Sequence, residues 1–192
     1  MRVITGTAKG VNLNALSGTD TRPTSDKVKE AMFSAIQFDV EGAVVLDLFA
    51  GSGQLGIEAL SRGAKKAYFV DNNSKAIAII EENLNKTGLS NRQLHRVDRL
   101  PHNAFLRMVK ENFDIAFLDP PYEKGFLEKT LPSVALKMNP NGIIVCEHEK
   151  KLKLQEQVVC TCDENGVKSF IVEKVYEYGF MSVTIYRGGF NG

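Results

Sequence analysis

Two clusters of residues have types and spacing that could do chemistry. The first lies in LDLFAGSGQLGIEAL, residues 46 to 60, where Gly51, Gly53 and Gly56 follow the spacing G-x-G-x-x-G behind an apolar run. An acid, Asp71, comes twenty residues after Gly51. Glycines at such a turn let the chain bend sharply and let a ligand approach the backbone, which is the pattern of a dinucleotide-binding turn. The second cluster is Asp119-Pro120-Pro121-Tyr122. Its two prolines remove two backbone donors and hold Asp119 and Pro120 away from helical conformations, so a carboxylate, a free carbonyl and an aromatic ring are fixed relative to one another.

The glycines specify a nucleotide-like ligand without saying which. Asp47, just ahead of them, discriminates. A dinucleotide sets its anionic pyrophosphate at the helix N-terminus, where a neighbouring carboxylate repels it. S-adenosyl-L-methionine instead brings an ammonium and a sulfonium, so Asp47 favours that ligand over NAD. Asp71 can accept hydrogen bonds from ribose hydroxyls in either ligand. Asp98, expected just after the third strand, is placed to meet an adenine amino group.

The second cluster suits methylation of the exocyclic amine of a base. Such an amine is a poor nucleophile because its lone pair is delocalised into the ring. Accepting its two N–H groups on the Asp119 side chain and the Pro120 carbonyl favours a pyramidal nitrogen and stabilises the positive charge that develops on it. The Tyr122 ring can stack on the base, a contact worth roughly 1–3 kcal/mol. A base so held is flipped out or single-stranded. This chemistry calls for no metal, and His95, His102 and His148 are read as structural or surface residues. The loop alone leaves guanine, adenine and cytosine amines open, in RNA or DNA.

The elements that must position these clusters alternate between strand and helix. A helix is expected from Thr24 or Ser25, with Val28, Ala31, Met32 and Ala35 on one face. The sequence predicts strands at 44–49, 67–71, 93–97, 114–119 and 142–147, with a helix after the glycine turn ending at Gly63 and another from Ser74 to near Gly88. Mostly continuous apolar strands indicate a parallel sheet covered by helices on both faces. The runs 168–178 and 180–187, joined through Gly179, form an antiparallel pair at the C-terminal edge. The fold class is therefore α/β and doubly wound, with an N-terminal extension.

At 192 residues the chain is long enough for one sizeable core, and 43% hydrophobic with 24% charged residues is ordinary globular composition. No apolar run reaches the roughly 18 residues of a membrane span and MRVITGTAKG lacks an export-signal core, so a cytoplasmic protein is expected. The three cysteines, Cys146, Cys160 and Cys162, lack C-x-x-C spacing and are read as reduced structural thiols. A formal net charge of +1 neither demands nor excludes a nucleic-acid partner.

The sequence resembles the RsmD-type methyltransferases, which modify the guanine N2 amine of small-subunit (16S) ribosomal RNA in bacteria. The likeness is carried by RVITGTAKG at 2–10, RPTSDKVKEAMF at 22–33, LDLFAGSGQLGIEALSRGA at 46–64 and LDPPY at 118–122. The glycine turn and proline motif are shared by many amino-methyltransferases; the R-x-I-x-G and R-P-T-x-D segments point to this family. The resemblance implies a class I, Rossmann-like, seven-stranded sheet with an antiparallel C-terminal edge, in one methyltransferase domain over 1–192 with 1–22 as a hairpin extension. It also implies a pocket for S-adenosyl-L-methionine built from Asp47, Phe49, Gly51, Gly53, Asp71 and Asp98, with Arg22, Pro23 and Thr24 closing over it. Asp119, Pro120, Pro121 and Tyr122 would form the target pocket, and Arg2 and Lys9 would help the hairpin engage RNA. The expected partner is 16S rRNA within an assembled or partly assembled small subunit, with the protein a monomer.

Overall fold

The apolar runs form strands buried on both faces. The computed structural model describes residues 1–16, 26–120, 125–162 and 166–190. In chain order the elements are α1 (Asp26–Ala35), β1 (Val44–Asp47), α2 (Gln54–Ser61), β2 (Lys66–Asp71), α3 (Ser74–Lys86), β3 (His95–Arg99) and α4 (His102–Met108). They continue with β4 (Phe113–Leu118), α5 (Phe126–Ala135), β5 (Met138–Glu149), β6 (Gln157–Cys162), β7 (Gly166–Tyr178) and β8 (Met181–Phe190). All eight strands form one sheet in the order β3-β2-β1-β4-β5-β8-β7-β6. The first five are mutually parallel, and β8, β7 and β6 extend the sheet antiparallel.

Alternation along each strand divides the interior in two. Val45, Phe69, Phe117, Val145 and Ile185 face one core, closed by Val28, Met32 and Phe33 of α1, Leu55 and Ile57 of α2, and Ile80 and Leu84 of α3. Leu46, Val70, Ala116, Cys146 and Tyr186 face the other, closed by Phe105 and Leu106 of α4 and Leu127, Leu131 and Val134 of α5. Helices on both faces follow from strands with no polar side.

The doubly wound α/β architecture is as the sequence implies, but the sheet has eight strands rather than seven. The additional strand is β6, QVVCTC, in which Val158 and Cys160 are buried while Gln157 and Val159 are exposed. Its alternation is that of an edge strand covered on one side, and it lacks the continuous apolar signal of the central strands. The hairpin link between β7 and β8 is Gly179-Phe180, with Gly179 at φ 60°.

The N-terminal segment is a short antiparallel hairpin. Arg2 pairs with Asn12, the Val3 amide donates to the Val11 carbonyl at 3.0 Å and the Leu13 amide to the Met1 carbonyl at 3.0 Å. It is seated on α2 by Glu58, a fully buried carboxylate. Glu58 accepts from the backbone amides of Ile4 (2.8 Å) and Thr5 (3.0 Å) and from Arg62 Nε (2.8 Å). Lys29 Nζ of α1, also fully buried, lies 3.3 Å from it and donates to the Arg2 carbonyl. That partner explains why the buried face of α1 is Val28, Lys29, Met32 and Phe33, rotated from the Val28, Ala31, Met32, Ala35 stripe expected from hydrophobicity. The expected helix caps Thr24 and Ser25 lie outside the described residues.

Removing one member of a buried ion pair costs about 3–5 kcal/mol when it leaves the other charge uncompensated. Glu58→Leu strips Lys29, Arg62 and two amides of their acceptor at once, so its unfolding free energy from urea titration should fall by an amount in that range. Lys29→Met should cost less, because Glu58 keeps Arg62 and both amides. Equal losses would show that Glu58 does not hold the hairpin.

Candidate active site

The chain runs from β1 to β2 and β3 on one side of β1, and to β4 and β5 on the other. The crevice beyond the carboxyl ends of β1 and β4 is therefore the place where a doubly wound sheet binds ligands. Between β1 and α2 the backbone turns through Gly51 (φ 53°) and Gly53 (φ 77°), both left-handed. Gly56 does something different: a Cβ there would lie 2.3 Å from Cε1 of Phe69, so its absence lets α2 close onto β2. Asp47 reaches across from the end of β1 and accepts the Gly56 amide at 2.9 Å. It thereby satisfies one of the orphan donors at the start of α2, whose N-cap, Gly53, has no side chain to do so.

A cavity of about 540 Å³ opens at this point. Asp47, Phe49, Gly51, Asp71 and Asp119 all lie on its wall. Asp71 Oδ2 accepts the Gly51 amide (2.9 Å) and Oδ1 the Asn73 amide (2.8 Å), which orients the carboxylate while leaving lone pairs toward the cavity. One end of the cavity is aromatic. Phe49, His102 at the head of α4 and Phe126 at the head of α5 form a triangle with ring centroids 5.0 to 5.3 Å apart. At the other end are Gln54 and Ser52, roofed by Met1 and Leu16; Met1 Sδ lies 3.5 Å from Ser52 Oγ.

Negative charge is concentrated here. Asp47 is buried, and burial pushes its carboxyl pKa up to about 7, partly offset by the Gly56 amide and reinforced by Asp71. Asp119 is raised well above the usual carboxylate range by burial, then by the carboxylates of Glu147 and Asp47. Glu147 on β5 is itself buried. His102 is pushed below its ordinary value by burial, which favours the neutral imidazole.

The geometry places two residues differently from the expectation. Asp98 is not on the cavity wall. It lies within β3, which ends at Arg99, two residues beyond Val97, and the period of two sets it on the same side as Arg96. Arg96 Nη2 donates to Asp98 Oδ1 at 2.7 Å and Nε lies 2.7 Å from Oδ2. His102, read from sequence as structural or surface, is a wall residue. Its topology was the available signal, since the first turn of every helix that follows a parallel strand faces the crevice; the same holds for Phe126 and Gln54. Pro120 is buried beside Asp119 and Gly53 sits within the turn, neither on the wall. Arg2 is exposed and paired with Asp26 at 3.1 Å, and Lys9 is exposed in the hairpin turn, both away from the cavity. Arg22, Pro23, Thr24, Pro121 and Tyr122 lie outside the described residues. Among the described residues no cluster of metal-ligating side chains is present, and no helix is long and apolar enough to cross a membrane.

The chain is similar to known proteins. Residues 1–168 match the family model described as "Conserved hypothetical protein 95". A Bacillus subtilis protein named "Putative rRNA methyltransferase YlbH" is 41% identical over 192 residues, covering 97% of this chain and 98% of that one. Ribosomal RNA small subunit methyltransferase D of Haemophilus influenzae is 34% identical over 154 residues, covering 78% of this chain and 79% of its own length. Among solved structures, a conserved hypothetical protein of Streptococcus pyogenes superposes with a TM-score of 0.73 at 34% identity, over 83% of this chain and 94% of that one. A family match across most of the sequence, with relatives this similar over more than three quarters of it, makes this chain a member of the RsmD-type methyltransferase family.

Proposed function

We propose that the protein transfers a methyl group from S-adenosyl-L-methionine to the exocyclic N2 amine of a guanine in small-subunit (16S) ribosomal RNA. The observation that carries the reading is Asp119, a half-buried carboxylate just beyond the end of β4 that shares a cavity wall with Asp71 and the glycine turn. Membership of the family, with relatives named for small-subunit rRNA methylation, supports the acceptor.

The residues present fit the donor. Asp71 is oriented to accept from ribose hydroxyls, and the Phe49, His102 and Phe126 rings offer an apolar seat for a flat base. Asp47 and Asp119 suit a cation, which favours their ionised forms and relieves the crowding of carboxylates. The bound donor supplies an electrophilic methyl group on a sulfonium. Asp119 and the Pro120 carbonyl accept the two N–H groups of the target amine and hold its lone pair toward that methyl group. As the nitrogen gains positive charge, Asp119 stabilises it, and its elevated basicity suits it to take the proton that the methylated amine must lose. Alignment of the two reactants supplies the rest of the acceleration. Arg22, Pro23 and Thr24 close the donor site, and Pro121 and Tyr122 bear on the base. Arg2 and Lys9 present the hairpin to RNA, within an assembled or partly assembled subunit in the cytoplasm, with the protein acting as a monomer.

Purified protein with labelled donor should methylate small-subunit RNA or particles that lack the modification, and nucleoside mass spectrometry should find N2-methylguanosine. Methyl-adenosine as product, or transfer to DNA alone, would overturn the acceptor. Asp119→Ala should lower the rate by about a hundredfold or more, in line with the loss of a group that stabilises transition-state charge. The same variant should melt at the same or a higher temperature at neutral pH. A carboxyl whose folded pKa is raised stabilises the fold only at low pH, and that contribution is lost as pH rises through the raised value.

Donor affinity should depend on pH through Asp47. In the free protein this carboxyl titrates near pH 7, and a bound cation favours its charged form, so binding expels a proton below that pH. Calorimetry should show affinity level above pH 7 and falling by up to about tenfold per unit below it. Asp47→Asn should flatten that profile; an unaltered profile in the variant would place the titration elsewhere.

A further inference from the structure

Gln54 is the first residue of α2, on the wall of the cavity and only 8% exposed. Its Oε1 atom is buried and has no hydrogen-bond partner among the described residues. A buried amide oxygen without a donor carries an uncompensated desolvation cost, and native structures keep such atoms where a ligand or water completes them. Turning the amide over exchanges its oxygen and nitrogen at that place, so it leaves a buried polar atom there in either orientation. No packing requirement explains a polar side chain here: its helix neighbour Leu55 packs into the α1–α3 core, and all of α2 is buried.

The position of Gln54 says which part of a ligand it would meet. The cavity crosses the end of the sheet from one face to the other. On the α4–α5 face it ends in the Phe49–His102–Phe126 rings. Asp71, at the end of β2, stands beside the glycine turn whose Gly51 amide it accepts. On the α1–α3 face it ends at Ser52 and Gln54 under Met1. A donor with its flat base among the rings and its ribose at Asp71 extends its amino-acid end toward α2. That end carries an ammonium, a strong donor. Asp47, whose Oδ2 is already engaged by the Gly56 amide, offers it an incomplete set of acceptors.

We infer that the Gln54 side-chain oxygen accepts a hydrogen bond from the α-ammonium of the methyl donor, so that Gln54 selects ligands that retain the amino-acid end. The inference rests on the donor site proposed above and adds to it a residue whose identity the glycine spacing leaves open and which lies outside the proline motif.

Calorimetric titration of wild-type protein, Gln54→Leu and Gln54→Met with two probes tests it. The probes are S-adenosyl-L-homocysteine, which has the amino-acid end, and 5′-methylthioadenosine, which lacks it. The leucine and methionine variants keep the bulk and remove the acceptor. Each should bind S-adenosyl-L-homocysteine about tenfold or more weakly, as expected for one hydrogen bond to a charged group, and 5′-methylthioadenosine within about twofold of wild type. The melting temperature of either variant without ligand should not fall, since the substitution removes an unpartnered buried atom. Equal weakening toward both probes, or unchanged binding of S-adenosyl-L-homocysteine, overturns the role of Gln54 while leaving the donor site standing. Failure of wild-type protein to bind either probe overturns the donor site itself, and with it this inference.

Discussion

Glu58 takes donors from three separate stretches of chain: two amides of the N-terminal hairpin, the ammonium of Lys29 in α1 and the guanidinium of Arg62 at the end of its own helix. A carboxylate with no exposure to water must be compensated in full, and here the compensation is also the fastening. Its other fastenings are the apolar contacts of Val3, Ala8 and Leu13 and the hydrogen bonds that Ser61 and Asn83 make with the hairpin and the residues after it. Because the hairpin carries Met1 over Ser52, the shape of the cavity at the start of α2 depends on a charge pair remote from it. Gly6 shows how close this seating is. With φ at 87°, a Cβ there would stand 1.7 Å from the Ser61 carbonyl oxygen.

The carboxyl end of the sheet carries a different tension. Asp47, Asp119 and Glu147 come from the neighbouring strands β1, β4 and β5 and are gathered where water has limited access. Burial and crowding raise the proton affinities of Asp47 and Asp119, which weakens the fold at neutral pH. Proteins tolerate such local cost where the unrelieved charge serves binding. A cation is the simplest relief, and the elevated basicity that results from crowding is useful to a residue that must accept hydrogen bonds and then a proton.

Much of this was legible in the sequence because the central strands are read by composition alone. Runs such as VVLD, AYFVD and DIAFLD have no polar side, and that by itself implies helices on both faces and a crevice at their carboxyl ends. Asp47, Asp71 and Asp119, which end or follow those runs, all line the cavity there. Asp98 does not, because HRVDR alternates in polarity and gives no sharp terminus; the strand runs on to Arg99, and Asp98 lies beside Arg96. β6 was missed for a related reason, being a half-covered edge. Lys29 and Glu58 were illegible in principle. Charges distant in sequence predict exposure when taken singly, and only the fold makes them partners. His102, Phe126 and Gln54 share no motif, and what unites them is that each opens a helix after the chain leaves the sheet's carboxyl end.

The order of strands has a consequence for how the molecule is made. β8 is the last strand in the described chain, yet it occupies the interior of the sheet, bonded to β5 on one side and β7 on the other. During synthesis the parallel half can assemble as soon as β5 emerges, but the outer edge of β5 then stays unpaired for more than thirty residues of further translation. An open hydrophobic edge is a template for pairing with other chains. The nascent protein must therefore pass through an interval of vulnerability that ends only when the terminal hairpin inserts. Slowing or truncating translation before Met181 would prolong the exposure of that edge and favour aggregation.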